Sequence, residues 1–251
     1  MDAIWAREVH PMSKSAENIT RKVCAVVGVG PGNGAAFARR FAAEGYAVAL
    51  LARGTEFTAT LASELQVARA YACDVGDEGA VGRAFAAIEK DLGPVDTVIY
   101  NAGSGTWGTV EEIRVADFEA AFRVNALGAL LVAKQVIPGM KRRGGGSFVF
   151  TGATASRRGG AKTAAFAPAK AAQRSLAESM ARALWPSGIH VSIIIVDGVV
   201  DLAETRRRMS DKPDSFFLKP EDIADTAFFL TQQKRSAWSF EVEARPFGET
   251  W

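Results

Sequence analysis

Histidine, tyrosine and cysteine are scarce in this 251-residue chain, at two, three and two copies. His10 and His190 alone cannot build a multi-histidine metal centre, and no metal is expected. Cys24 and Cys73 are too few for a disulfide framework and fit a reducing compartment, so a cytoplasmic setting is expected. Charge of one sign is missing too. Lys and Arg number 30 against 28 Asp and Glu, a formal net charge of +2. That balance gives no push toward nucleic acid or an anionic membrane. No uninterrupted apolar run of about eighteen residues occurs, so no membrane span is expected. The stretch MDAIWAREVHPMSKSAENITRK has charges throughout and no continuous apolar centre, which excludes a signal peptide. Residues 1–20 read as a loosely ordered lead-in, within which Met12 is a second candidate start.

What is present is ordinary for a globular protein: 48% hydrophobic and 23% charged residues, in a chain long enough to bury a core without staples. From residue 22 onward, short apolar runs alternate with helical patterns. Strands are expected at 22–28, 46–52, 67–73, 95–100, 147–151, 189–196 and, more polar, 239–245. Helices are expected at 35–44, 56–65, 77–92, 117–141, 164–185 and 220–232, the last with Pro220 in its first turn. Continuous apolar strands that alternate with helices mean a parallel sheet covered on both faces. Right-handed crossovers then give an α/β doubly wound, Rossmann-like sheet of about seven strands. No composition break divides the chain, and residues 21–251 are expected to form a single dinucleotide-binding domain.

Between the first strand and the first helix lies Gly28-Val29-Gly30-Pro31-Gly32-Asn33-Gly34. Its glycines fit a Gly-x-x-x-Gly-x-Gly spacing. They permit a tight turn and let backbone N–H groups approach a pyrophosphate at a helix N-terminus. The second strand ends at Arg53, where a cofactor with a free ribose 2′-hydroxyl would meet an acid. A guanidinium suits a 2′-phosphate instead, which favours NADP(H) over NAD(H).

These features together resemble the short-chain dehydrogenase/reductase family, in motif order over roughly residues 22–245. Gly28, Gly32 and Gly34, with Gly30 and Asn33 between them, look like its cofactor loop, although Val27 stands where threonine is usual. Asp74-Val75 looks like the pair that contacts the adenine, and Asn101-Ala102-Gly103 like the motif after the fourth strand. Asn125 looks like the asparagine that positions a proton-relay water, and Lys170 like the site lysine. Gly198 looks like the glycine of a Pro-Gly turn, with Asp197 in place of the proline, and Val200 lies beside it. Each has a plain structural alternative: a turn cap for Asp74, a loop brace for Asn101, a buried polar residue for Asn125, a solvated helix position for Lys170.

The resemblance implies hydride transfer between the nicotinamide and a carbonyl carbon, with a tyrosine four residues before the lysine as acid and a serine thirteen residues earlier. Here those positions hold Phe166 and Ala153. Thr154 is the nearest replacement hydroxyl, although strand alternation would point it away. Tyr100, at the end of the fourth strand, could approach the cofactor. Arg157 and Arg158 are either receivers of an anionic substrate or solvated loop charges. Residues 199–219 would form a substrate flap, in which Leu202, Met209, Phe216 and Phe217 either line a pocket or simply pack. A water held by Lys170 and Asn125 could supply the proton.

Two functions stay open. One is an NADP(H)-dependent oxidoreductase with an altered active site, acting on an unidentified carbonyl or alcohol. The other is an NADP(H)-binding sensor or scaffold without turnover. Halohydrin dehalogenases, which resemble the family but keep the serine and tyrosine and lose the dinucleotide loop, show the reverse pattern. The resemblance also implies a homodimer or homotetramer built on the helices 117–141 and 164–185, with Arg245-Pro246-Phe247 adding to the contact. A small-molecule substrate is the only other partner expected, with no nucleic acid and no membrane.

Overall fold

The structure, a computed structural model, describes residues 21–249; the lead-in read over residues 1–20 lies outside them. The described chain runs β1 (Val23–Val27), α1 (Asn33–Ala43), β2 (Ala47–Ala52), α2 (Glu56–Glu64), β3 (Ala68–Ala72), α3 (Glu78–Asp91) and β4 (Val95–Tyr100). It continues through α4 (Val115–Phe122), α5 (Gly128–Arg142), β5 (Gly146–Ala153), α6 (Phe166–Leu184) and β6 (Ile189–Val196). Then follow β7 (Val199–Val200), α7 (Ala203–Arg208), β8 (Phe217–Leu218), α8 (Pro220–Gln232) and β9 (Glu241–Ala244).

Seven strands form one parallel sheet in the order β3-β2-β1-β4-β5-β6-β9. Both faces are covered, which is why β1 and β2 are apolar at every position and the neighbouring β4, β5 and β6 are mostly so. In β1, Val23, Ala25 and Val27 pack into one core and Cys24 and Val26 into the other. α3, α5 and α6 supply the first core, and α1 and α8 the second. The order reverses direction at β1, so the crevice opens where the C-terminal ends of β1 and β4 part. The loops after β1, β4, β5 and β6, which carry most of the residues singled out above, therefore meet at one edge of the sheet.

Three features differ from the sequence reading. First, the long helix is interrupted by a π turn at Arg123–Leu127. A π turn inserts one residue and leaves carbonyls without their usual helical donors, and side chains take over here. Asn125 Nδ2 donates to Ala121 O, Tyr100 Oη to Val124 O and Gln173 Nε2 to Asn125 O. Tyr100 is thereby held in the core, fully buried against Phe148 and Phe150, and burial raises its phenol well above its usual range. It does not face the cleft. Second, β5 runs on to Ala153. Third, residues 199–219 contain two short strands, β7 and β8, which pair in parallel, and the short helix α7.

The helical run 115–142 is long and apolar enough, by length and composition alone, to cross a membrane. Leu131, Val132, Val136 and Met140 on it are buried in the core under the sheet. Val115, Phe118, Leu127 and Leu130 on the same run are exposed.

Candidate active site

The loop after β1 is pinned at its base. Gly28 N and Val29 N both donate to Leu51 O, at 2.9 and 3.0 Å. This brings the exposed Arg53, two residues past Leu51, out beside the loop. Gly28 has φ +90°, and a Cβ there would come under 3.0 Å from Ala102 N, Ala102 Cα and Asn101 C. Its lack of a side chain thus serves the close approach of β1 to β4. Asn101 completes that junction, Nδ2 donating to Gly28 O at 2.8 Å. Gly34 is equally confined, against Val29 Cα and Gly28 O. At Gly30, by contrast, a Cβ would meet nothing within 4 Å.

No side chain caps the N-terminus of α1, and its first turn holds no acid. Ala35 N and Ala36 N turn back to the carbonyls of Gly30 and Gly32, which leaves the N–H groups of Asn33 and Gly34 and the positive end of the helix to meet an anion. Asn33 Oδ1, beside them, is buried without a hydrogen-bond partner among the described residues. An open glycine backbone, an uncapped helix start and an unpartnered polar atom fit the pyrophosphate of a dinucleotide. Asp74 is exposed and Oδ1 accepts from Gly76 N at 2.9 Å, while Val75 is buried against α5.

The second part of the cleft is built on α4, α5 and α6. Lys170 sits one turn into α6 and is buried at 5% exposure, so it is not a solvated helix position. Its Nζ donates to Thr151 O at 2.9 Å and to Gln173 Oε1 at 3.1 Å. Burial pushes the ammonium down to about 8, because desolvation disfavours the charged form. Gln173, fully buried, then links Lys170 to Asn125 through its bond to Asn125 O at 3.1 Å. Sequence reasoning missed Gln173, although its position three residues after Lys170 on one helix face was the available signal. Asn125 donates through Nδ2 and leaves Oδ1 buried without a partner among the described residues. A Cβ on Gly103 would lie 3.4 Å from that oxygen and 3.7 Å from Lys170 Nζ, so the lysine and the asparagine converge on the same glycine.

Phe166 opens α6 one turn before Lys170, whose Nζ lies 5.9 Å from the centre of its ring. Trp107, 64% exposed, packs on Phe166 with ring centres 5.3 Å apart. The loop that carries Trp107 is held to the start of α6 by a bridge between Gly108 and Thr163. A cavity of about 710 Å³ joins these parts. Asn33, Gly103, Ala153, Phe166, Lys170, Gly198, Val200 and Leu202 all line it.

Thr154 lines the cavity as well. Strand alternation does not govern it, since β5 ends at Ala153 and Thr154 begins a 3-10 turn. Its hydroxyl donates to the Asp197 carboxylate, which also receives Arg245. Burial pushes the Asp197 carboxyl up, but the Thr154 and Arg245 contacts outweigh it and hold the group below its usual range. Asp197 and Arg245 form a brace that motif reading did not find, because its partners lie 48 residues apart. Arg157 is paired with Glu241 and Glu243 on β9, whereas Arg158 lines the cavity. Of the flap residues, Leu202 reaches the cleft, against Gly32. Phe217 is buried under the Arg206 guanidinium.

Seven parallel strands in this order, helices on both faces and a glycine loop at the crevice define a Rossmann-like α/β protein of the dehydrogenase/reductase type. The match to the short chain dehydrogenase family spans residues 22–213, and the chain belongs to that family. Similar proteins include one named inactive 2-(S)-hydroxypropyl-CoM dehydrogenase 2 from Xanthobacter autotrophicus, 32% identical over 78% of this chain and 92% of the other. The 3-oxoacyl-[acyl-carrier-protein] reductase MabA of Mycobacterium tuberculosis is 32% identical over 72% of this chain and 70% of the other. Among solved structures, a short-chain dehydrogenase from Rhodopseudomonas palustris superposes with TM-score 0.78 at 32% identity, over 90% of this chain and 99% of that one. An alcohol dehydrogenase from Thermococcus sibiricus complexed with 5-hydroxy-NADP gives 0.82 at 25% identity, over 92% and 98%.

Proposed function

We propose that this protein is an NADP(H)-dependent oxidoreductase with an altered active site, acting on a carbonyl or alcohol. A water held between Lys170 Nζ and Asn125 Oδ1 takes the proton-transfer role that a tyrosine hydroxyl would otherwise have. The observation that carries this reading is the convergence of a buried lysine and an unpartnered buried amide oxygen on Gly103, with Phe166 alongside. The dinucleotide would be held by Gly30, Gly32, Asn33 and Gly34 at its pyrophosphate and by Arg53 at a 2′-phosphate. Asp74 and Val75 would flank the adenine. Asn101, Ala102, Gly103, Gly198, Val200 and Lys170 would surround the nicotinamide half. When bound, it supplies or accepts the hydride.

For reduction, the Lys170 ammonium passes a proton through its water to the oxygen of the new alcohol. NADPH consumption with a panel of aldehydes and ketones is therefore expected to fall as pH rises through about 8, where Lys170 loses its proton. Lys170→Ala and Asn125→Ala are each expected to abolish it, and Arg53→Ala to weaken NADPH by about 10-fold while leaving NADH unchanged. Unchanged turnover in both of the first two variants sinks the mechanism.

The second reading, binding without redox turnover, is favoured by the same two substitutions, Phe166 and Ala153. One similar protein is itself named inactive. NADPH binding with no consumption across the panel selects it. We infer a cytoplasmic setting, which the two free, buried thiols of Cys24 and Cys73 support.

Self-association to a homodimer or homotetramer is supported by the exposed Val115, Phe118, Leu127 and Leu130 along α4, the π turn and α5 and by Phe247, 94% exposed. Such area is costly to leave in water. Light scattering is expected to return at least twice the chain mass, and a monomer refutes the arrangement.

A further inference from the structure

We propose that the cleft accepts an organic anion: a carbonyl or alcohol compound with a flat apolar body and a carboxylate, sulfonate or phosphate that pairs with Arg158. The inference rests on the reading of this cavity as the substrate site. Its first support is electrostatic. Arg158 and Lys170 are the only charged side chains among the residues that line the cavity, and both are cationic. Lys170 is buried and occupied by Thr151 O and Gln173. Arg158 is exposed and forms no ion pair among the described residues. Its neighbour Arg157 is held by two glutamates on β9. The carboxylate whose ionisation Arg158 favours, Asp197, is already held by Thr154 and Arg245. One guanidinium of the pair is thus committed to the fold, and the other is left at the cavity wall with its donors available.

The second support is the apolar lining. Trp107, Phe166, Val196, Val200 and Leu202 give the wall its large apolar side chains. Trp107 and Phe166 stand with their rings tilted by 34°, and a tryptophan 64% exposed at a cavity gains from a ring laid against it. Gly159 and Gly160, next to Arg158 on the wall, add no side chain that would crowd an anion from the guanidinium. A charge-assisted bond to a planar anion then orients the ligand, and the aromatic pair supplies the buried area.

The test compares 4-acetylbenzoate with acetophenone, which differ in the carboxylate, by calorimetric titration of the full chain with and without NADPH. The wild type is expected to bind 4-acetylbenzoate at least about 10-fold more tightly. Arg158→Gln is expected to remove that advantage while acetophenone and NADPH bind as before, which also shows that the variant is folded. Trp107→Ala is expected to weaken both aryl ligands alike. Equal affinities in the wild type, no binding of 4-acetylbenzoate, or a preference that survives Arg158→Gln overturns the proposal. If NADPH gives no heat while the Arg158-dependent preference persists, the NADP(H) reading falls and the anion site stands.

Discussion

Placing a tyrosine at Phe166 and a serine at Ala153 together is expected to raise NADPH-dependent carbonyl reduction by about 10²–10⁴-fold over the wild type. That corresponds to roughly 3–5 kcal/mol off the barrier. Both side chains line the cavity, so the added hydroxyls displace no packed neighbour on the core side. The new phenol would stand one helical turn from Lys170, whose ammonium favours the phenolate and brings its pKa toward neutrality. The serine hydroxyl, at the end of β5, would donate to the substrate oxygen. The Lys170–Gln173–Asn125 chain is already in place to support this pair. NADPH consumption by the double variant against the wild type is the measurement. No gain, with NADPH binding intact, would mean that more than two hydroxyl groups separates this cleft from a working reductase.

Gly28→Ala is expected to cost at least about 3 kcal/mol of stability, seen as a fall of roughly 6–12 °C in melting temperature. Two effects add. The backbone at φ +90° disfavours any side chain, and the methyl would enter the backbone of Asn101 and Ala102. The opposing atoms belong to the end of β4 and cannot rotate away. Gly30→Ala is the matched control. With nothing within 4 Å of its Cβ, it should leave the melting temperature unchanged and weaken NADPH. If both variants melt alike, the Gly28 argument fails; if Gly30→Ala binds NADPH as the wild type does, the open glycine does not face the pyrophosphate.

The two glycines show how far the sequence could be read. Their spacing marked the loop, but the reasons for them divided only in three dimensions: one admits a neighbouring strand, the other leaves space. Asn101 and Asp74 behave similarly. Each sits at the strand end where the motif placed it, and each also makes the local bond that the plain structural alternative described. A short side chain at a strand end can brace its loop and still face a ligand. Strand alternation would turn Thr154 away from the cleft, but β5 ends one residue earlier and gives way to a 3-10 turn. The π turn at Asn125 was invisible because an inserted residue leaves the apolar spacing of a helix nearly unchanged. Tyr100 could not be placed from its strand position, since only the core on one side of β4, and the free carbonyl of Val124, decide where its hydroxyl goes.

Amino-acid order alone determined the layered α/β architecture, because apolar runs and helical periodicity are local properties that each segment expresses without its neighbours. It also determined that a phenylalanine, Phe166, stands four residues before Lys170 and an alanine, Ala153, thirteen residues before that, since identity at a counted spacing needs no coordinates. What tertiary structure decided were relations between distant segments: Asp197 braced by Thr154 and Arg245, Gln173 bridging Lys170 to the π turn, and one of two adjacent arginines consumed by β9. Those depend on which loops the sheet order brings to its C-terminal edge and on which polar groups are sealed from water there. Both arise only when the strands assemble.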